Sequence, residues 1–324
     1  RDWILGRMLT LGNIDQLEYQ NAISEPDNAS YHGSISQPGA AYAAELVRQQ
    51  VIEKFGLKAY TKGYTVITSI DSQMQRQAVA AVQSGILTYD KRHGYRGAER
   101  SSVDPAKWLE ILQETPTFAG LEAMIVAEVE DDYAILVDRD DRLHRLEWTG
   151  GIEGTRLYKT VNALSAPITS AQALLTSGDL IRVTRDDTGR LQLAQLPDAQ
   201  AAMVALAPRD GAIRALVGGF DYTQSNFNRV TQATRQPGSN FKPFLYAIAL
   251  RSGFTAATLF NDAPVVFNDS KLEDTWRPEN DGGKFYGPTR LRVGLYRSRN
   301  LVSIRLLRRL GIDRALEGLQ DFGF

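Results

Sequence analysis

The sequence predicts a multidomain α/β protein in which helical segments precede and follow a cluster of short strands. Its 324 residues correspond to two or three domains at roughly 100–200 residues each. An apolar fraction of 43% is enough for a buried core, so general disorder is excluded. Short apolar runs at close spacing crowd between residues 122 and 196, whereas helical periodicity dominates on either side.

Composition excludes several classes of function. Cys is absent, which removes disulfides, zinc fingers, iron–sulfur clusters and thiol nucleophiles. The three His are far apart and the usual phosphate-loop, dinucleotide and metalloprotease motifs are missing, so we expect no metal and no cofactor. A net charge of −1 gives no overall basic field for nucleic acid. No window reaches the ~18 apolar residues of a membrane-spanning helix. The chain opens on Arg1 within a helical pattern, so we expect a piece of a longer protein.

Helices are predicted for most of the first hundred residues. Asp15 and Glu18 form a capping-box pattern, and Asp71 is a typical N-cap residue. Between the helices, Tyr64–Ile70 alternates and is rich in β-branched residues, which predicts a strand. The segment Lys91–Gly97 is basic and contains two Gly, which predicts a loop. The predicted helices are Trp3–Leu9, Leu17–Ile23, Pro38–Phe55 and Ser72–Leu87, with a polar stretch at Ser24–Gln37.

The middle of the chain is predicted to form a small antiparallel barrel or sandwich. A short helix, Trp108–Gln113, precedes it. Between Leu121 and Glu147 nine acidic residues face three Arg, a local balance of 3 − 9 = −6 that would repel a phosphate backbone. A spacer or protein-docking module is therefore favoured over a nucleic-acid-binding barrel. The predicted strands are Met124–Val129, Tyr133–Val137, Leu143–Trp148, Leu180–Val183 and Leu191–Leu196.

The last third begins like an α/β domain. Met203–Ala207 and Ala212–Val217 flank an Asp-Gly pair, which is a strong hairpin signal. Helical runs follow at Phe244–Leu250 and Leu301–Leu310, and Gly311 ends the second. The sequence therefore predicts a hairpin followed by helices.

One short motif in this region could carry chemistry. Ser239 and Lys242 form Ser-x-x-Lys; if Ser239 opens a helix, the lysine amine lies one turn on and on the same face. A serine hydroxyl needs a neighbouring base, and a lysine kept neutral by burial can serve as one. The helix N-terminus would favour the negative oxygen of a tetrahedral intermediate. Taken alone, the motif is better explained by an N-cap serine followed by a surface lysine.

A second motif, Ser298-Arg299-Asn300, lies just before the Leu301–Leu310 helix. Taken alone it also reads as a helix cap. In acyltransferases that use Ser-x-x-Lys, however, a Ser-x-Asn element supplies a second hydroxyl for proton transfer and an amide for the substrate.

Together with their flanks, these motifs resemble the class A penicillin-binding proteins of the 1A type, which are bifunctional peptidoglycan glycosyltransferases and transpeptidases. The segment Arg235–Tyr246 reads Arg-Gln-Pro-Gly-Ser-Asn-Phe-Lys-Pro-Phe-Leu-Tyr and resembles the nucleophile motif of that family. Further similar stretches are Gly63–Asp71, Tyr89–Gly97, Trp276–Asn280 and Ser298–Ser303.

The resemblance implies a domain order and a set of roles. Residues 1–25 would be the tail of the glycosyltransferase domain, 26–104 a linker region with a strand and helices, 105–198 an OB-like β insertion, and 199–324 the N-terminal part of a transpeptidase domain with a penicillin-binding, β-lactamase-like α/β fold. Ser239 would be the acylated nucleophile and Lys242 its general base. Ser298 would relay a proton to the leaving amine, and Asn300 would bind the stem peptide.

The sequence also departs from the family pattern. The third family motif, Lys-Thr-Gly or Lys-Ser-Gly, occurs nowhere in the 324 residues, and the glycosyltransferase glutamates are expected upstream of Arg1. The chain alone is therefore expected to be inactive or slow.

The resemblance finally implies partners and a location. The substrates would be D-Ala-D-Ala stem peptides, with a lipid-linked precursor for the parent protein, and β-lactams would acylate Ser239. The parent would be membrane-anchored and act at the periplasmic face of the bacterial inner membrane, with a cell-envelope protein partner at the acidic β module. Two alternatives stay open: a D,D-carboxypeptidase, and a non-catalytic docking fragment that carries the acidic module.

Overall fold

The structure is a computed structural model that describes residues 1–25, 39–266 and 277–324. By their contacts these residues divide into two compact units, Arg1–Ala233 and Thr234–Phe324. The hairpin after residue 202 falls in the first unit, although the sequence groups it with the later helices. The domain boundaries inferred from the sequence stay predictions.

The first helices form as their caps predict. Helix α1 spans Asp2–Thr10 and helix α2 spans Gln16–Ser24. The predicted capping box is present, since the Asp15 carboxylate accepts from Glu18 N at 2.8 Å and the Glu18 side chain accepts from Asp15 N at 2.9 Å. Helix α3 spans Ala41–Phe55 and is followed by Gly56. The predicted helix start at Pro38 and most of the predicted polar stretch lie outside the described residues.

Helix α4 spans Ser72–Arg92, five residues longer at its C-terminal end than predicted. The Asp71 carboxylate accepts from Met74 N at 2.8 Å, which confirms the predicted N-cap. The predicted basic loop therefore starts inside the helix. Its Arg96 instead forms an ion pair with the buried Asp90 at 2.8 Å, and so ties the loop to the end of α4.

The strand predicted at Tyr64–Ile70 is wrong. This segment is irregular and its Ile67 side chain is 93% exposed. It approaches strand β9 (Ile213–Val217) mainly at its end, where Asp71 N donates to Arg214 O at 2.9 Å. The buried amide of Gln75 then takes the place of a strand, because it donates to Leu216 O at 2.9 Å and accepts from Leu216 N at 2.8 Å. A helix side chain thus occupies hydrogen-bonding positions that a neighbouring strand would use.

Strand β9 pairs antiparallel with β8 (Met203–Leu206), as the Asp-Gly signal predicts. This hairpin packs against the apolar face of α4. The buried side chains of that contact are Ala78, Val82, Ile86, Leu121, Ala215, Val217 and Phe220.

The middle of the chain contains a five-stranded antiparallel sheet in the order β3-β2-β1-β6-β7. Helix α5 (Trp108–Glu114) precedes it. A separate β4–β5 pair, absent from the sequence prediction, is short and mostly exposed. The strands are β1 (Glu122–Val129), β2 (Tyr133–Val137), β3 (Leu143–Glu147), β4 (Arg156–Thr160), β5 (Ala163–Pro167), β6 (Leu180–Arg185) and β7 (Leu191–Ala194). Buried apolar side chains between them form one core, which includes Met124, Val126, Leu136, Leu146, Ile181 and Val183.

The two edges of this sheet approach each other where the chain leaves β3. A Cβ added at Gly150 would meet Leu191 O of strand β7 at 2.7 Å and Leu146 Cδ1 at 2.9 Å. Only a residue without a side chain allows this close approach, which curls the sheet toward a barrel.

We expect Gly150→Ala to lower the free energy of unfolding by about 1–3 kcal/mol, because backbone must move to admit the methyl group. Gly85→Ala is the matched control, since Gly85 lies exposed within α4 and no atom stands within 4 Å of an added Cβ. That control should stabilise by about 0.5–1 kcal/mol. Chemical denaturation of both variants checks the difference, and equal effects would refute the close approach at Gly150.

The second unit is mainly helical. Its buried core is apolar and joins the helices to a two-stranded pair, β10–β11. The elements are α6 (Lys242–Arg251), β10 (Leu259–Asp262), β11 (Gly287–Arg290), α7 (Leu291–Tyr296), α8 (Asn300–Leu310) and α9 (Ile312–Gln320). The core residues are Leu245, Tyr246, Ile248, Ala249, Phe260, Leu291, Val302, Leu306, Leu310, Ala315 and Leu319.

Across the described ranges, no helix is long and apolar enough to cross a membrane.

Candidate active site

The turn that carries Ser239 differs from the predicted helix start. Residues Gly238–Phe241 form a 3₁₀ turn, and α6 begins only at Lys242. The cause is Pro243, which has no N–H to donate to Ser239 O as an α-helix starting at the serine would require. Instead Lys242 N donates to Ser239 O. Side chains three residues apart eclipse in a 3₁₀ turn, so Ser239 and Lys242 still share one face.

The Ser239 side chain is free for a ligand. The residue is exposed, and no hydrogen bond of its hydroxyl is present within the described parts of the chain. It precedes the N-terminus of α6, whose helix dipole favours negative charge nearby. Nucleophilic attack by Ser239 would create such a charge in its immediate vicinity.

The Lys242 side chain connects the two sequence motifs. Its Nζ lies 2.7 Å from Ser298 O, 3.0 Å from Ser298 Oγ and 2.7 Å from Asn300 Oδ1. Burial lowers the pKa of this amine below its ordinary value. The structure therefore brings three of the four predicted site residues together across 56 and 58 positions of sequence. Ser239 is not among the hydrogen-bond partners of Lys242 in the described residues.

Each of the three partners of Lys242 can accept from one N–H of its ammonium form, and the same partners also suit the neutral amine. A neutral amine has two N–H donors and one lone pair. Ser298 O and Asn300 Oδ1 can each accept one donor, whereas the Ser298 hydroxyl can donate to the lone pair. This arrangement lets a proton pass between Lys242 and Ser298 with little movement.

Ser298 has a backbone conformation that usually belongs to Gly. Its φ is +53°, and it follows the C-cap of α7. Ser298 N donates to Leu295 O at 2.9 Å and Arg299 N donates to Gly294 O at 2.8 Å, which is the Schellman pattern. A left-handed conformation costs an L-residue roughly 1–2 kcal/mol. Backbone strain of this kind is concentrated at functional sites.

Asn300 is oriented by a segment whose role the sequence analysis did not predict. Its Nδ2 donates to Glu279 O at 2.9 Å, which leaves Oδ1 facing Lys242. Glu279 and Asn280 belong to the stretch that resembles the family, but no spacing rule connects them to the 298–300 turn. Trp276, also in that stretch, lies outside the described residues.

Comparison with known proteins places these features in a family. Residues 201–324 match the model of the penicillin-binding protein transpeptidase domain, and residues 95–199 match the penicillin-binding protein OB-like domain. Along its whole length the chain is 46% identical to penicillin-binding protein 1A of Pseudomonas aeruginosa. The chain belongs to the class A penicillin-binding proteins of the 1A type.

Two further members of the family are also similar to this chain. The chain is 38% identical to penicillin-binding protein 1A of Escherichia coli over its full length. It spans 40% of the Pseudomonas protein and 39% of the Escherichia protein. The crystal structure of penicillin-binding protein 1A from Haemophilus influenzae superposes with a TM-score of 0.82 at 34% identity, over 100% of this chain and 47% of that one.

These findings confirm the predicted family and fold class, a multidomain α/β chain with an OB-like domain and a transpeptidase domain. The roles assigned to Ser239, Lys242, Ser298 and Asn300 stay proposals. Within the described ranges, no group of three or more His, Asp or Glu side chains could hold a metal ion.

Proposed function

We propose that the chain carries the nucleophile half of a D,D-transpeptidase site that cross-links peptidoglycan stem peptides. The observation that carries this proposal is the Lys242 amine, which shares a face with Ser239 and contacts both Ser298 and Asn300. The Ser298 hydroxyl and the Asn300 amide thus lie within hydrogen-bonding distance of the Lys242 amine, and the exposed Ser239 is three residues before that lysine. The family supports the reaction class.

In the acylation step, Ser239 Oγ attacks the carbonyl carbon of the penultimate D-Ala and its proton passes to Lys242 Nζ. The α6 N-terminus stabilises the oxyanion. Collapse of the intermediate breaks the peptide bond, and the terminal D-Ala amine leaves with a proton delivered through the Ser298 hydroxyl. The product is an ester between Ser239 and the shortened stem, whose backbone Asn300 helps to hold.

In the second step an amine of a neighbouring stem peptide attacks that ester. The amine loses a proton to the Lys242–Ser298 pair, Ser239 regains its hydrogen, and a new peptide bond forms. A β-lactam would form the same ester by ring opening, so we propose β-lactams as covalent inhibitors. A D,D-carboxypeptidase would use water instead of the amine.

We further propose that the protein works in the cell envelope, at the periplasmic face of the inner membrane. A glycosyltransferase domain of the parent protein would polymerise a lipid-linked precursor. The acidic β module would dock a cell-envelope protein with a basic surface. A purely docking role for the chain is disfavoured by the Lys242 contacts, which such a role does not need.

Full-length natural protein that carries this chain provides the test. Incubation with fluorescent penicillin should add one penicillin mass to the intact protein. Pentapeptide stems supplied with an amine acceptor should then yield cross-linked product in addition to free D-Ala. Free D-Ala without cross-links would favour the carboxypeptidase, and absence of any adduct would favour the docking role.

The strained serine gives a further prediction. Ser298→Gly should leave the free energy of unfolding unchanged or raise it by up to about 1 kcal/mol, because Gly adopts positive φ readily. The same variant should slow acylation on the order of 10²-fold, since the relay hydroxyl is lost. Ser298→Ala, which keeps the backbone strain, is the control and should slow acylation equally. An unchanged acylation rate in both variants would remove Ser298 from the mechanism.

A further inference from the structure

A buried carboxylate lies beneath the 298–300 turn and has no role in the reaction described above. Asp262 ends strand β10 and is fully buried. Its Oδ1 accepts from Asn280 Nδ2 at 2.6 Å. Its Oδ2 has no hydrogen-bond partner among the described residues, and faces Arg299 Nε at 3.9 Å. Resting on the proposed function, we propose that Asp262 and Asn280 are positioning residues that fix the orientation of the Asn300 amide against Lys242.

Asp262 is connected to the Asn300 amide through Asn280 and Glu279. Asn280 Oδ1 accepts from Leu301 N at 3.3 Å, directly after Asn300 in the chain. Glu279 O, one residue before Asn280, accepts from Asn300 Nδ2 at 2.9 Å. Both contacts keep the 277–280 segment against the start of α8. When Asn280 is held by Asp262, Glu279 O is held against the Asn300 amide.

The orientation of that amide matters chemically. With Nδ2 bound to Glu279 O, only Oδ1 can face the Lys242 amine. A reversed amide would place N–H donors against N–H donors and lose the 2.7 Å hydrogen bond. Asp262 and Asn280 therefore determine that the oxygen of the Asn300 amide, and not its nitrogen, contacts Lys242.

The second carboxylate oxygen of Asp262, Oδ2, faces Arg299 on the other side of the turn. Arg299, the middle residue of the Ser-x-Asn motif, has a side chain only 17% exposed. Its guanidinium lies 3.5 Å from the centre of the Tyr286 ring, and Tyr286 N donates to Asp262 O at 3.1 Å. One buried acid thus faces residues on both sides of Asn300.

A stability role alone accounts poorly for this arrangement. A buried carboxylate with an oxygen lacking a hydrogen bond is costly, and replacing buried ion pairs by apolar groups is often neutral or stabilising. The charge is explained by the geometry that it imposes on the 298–300 turn.

The test compares Asp262→Asn, which is nearly isosteric, and Asn280→Leu, which removes both amide contacts. Thr289→Val is the matched control: Thr289 is buried in β11, the strand paired with β10, and its hydroxyl donates to Gly287 O, away from Asn300. All variants are made in the full-length natural protein. If Asn280→Leu does not fold, Asp262→Asn alone decides the outcome.

Two readouts are taken on each variant. The first is NMR titration of the Lys242 side chain with isotope-labelled lysine, which does not depend on activity. Loss of the Asn300 acceptor removes a bond that favours the ammonium form, so the titration midpoint of Lys242 should fall in Asp262→Asn and Asn280→Leu and stay constant in Thr289→Val. The second is the rate of acylation by penicillin, which should fall on the order of 10- to 100-fold in Asp262→Asn and Asn280→Leu but not in Thr289→Val.

The outcomes separate the two proposals. An unchanged Lys242 titration in folded Asp262→Asn overturns the positioning role. A shifted titration with acylation equal to that of the unsubstituted protein overturns it as well, because the orientation would not serve the reaction. Absence of penicillin adduct in the unsubstituted protein refutes the proposed function, while the titration still decides whether Asp262 and Asn280 govern the surroundings of Lys242.

Discussion

Ser239→Ala is expected to abolish the covalent penicillin adduct, with a loss on the order of 10⁶-fold in acylation rate, comparable to removal of a catalytic serine elsewhere. The fold should remain intact, because Ser239 is exposed and its hydroxyl makes no hydrogen bond within the described residues. Intact-mass measurement after incubation with penicillin, together with a thermal melt, checks both parts.

The control for this variant is Asn240→Ala, which changes an exposed residue of the same 3₁₀ turn. It should retain the adduct at close to the original rate. An adduct that persists in Ser239→Ala protein at undiminished rate would exclude this serine as the nucleophile.

Lys242→Arg is expected to damage acylation nearly as much as Lys242→Ala, by about 10²–10⁴-fold. Arg keeps the positive charge but is effectively always protonated, so it cannot accept the hydroxyl proton of Ser239. Stopped-flow measurement of acylation checks the pair of variants. If Lys242→Arg reacted at close to the original rate, Lys242 would act only through its charge.

The pH dependence follows from the same residue. The base form of Lys242 is the deprotonated amine, so the acylation rate should rise with pH as the ammonium loses its proton. Because burial lowers the pKa of Lys242, the rise should be centred below the ordinary range of lysine. In Lys242→Ala protein this rise should disappear.

The sequence predicted best where the signal is local. The capping box of Asp15 and Glu18 and the N-cap of Asp71 involve residues three positions apart, and the structure contains both. The prediction of a strand at Tyr64–Ile70 was wrong because apolar–polar alternation is a property of the segment alone and does not show whether a neighbouring strand is available to pair with it. A strand there would have to pair with the edge of β9. That edge is already hydrogen-bonded by Gln75, a helix residue 141 positions away from its partner Leu216.

The same distinction holds for the candidate site. Spacing alone suggested that Ser239 and Lys242 share a face, and Pro243 changed only the type of turn. The resemblance pointed to Ser298 and Asn300, whereas their contacts with Lys242 required the fold. Asp262 and Asn280 were not predicted as site residues, because their contacts with the 298–300 turn span 21 or more positions of sequence and follow no periodic pattern.

Peptide mapping can locate the residue that penicillin acylates. Full-length natural protein is treated with penicillin, digested, and the modified peptide is sequenced by mass spectrometry. We expect the added mass on Ser239 and on no other residue. Added mass on Ser298, or on any residue outside the Gly238–Phe241 turn, would contradict it.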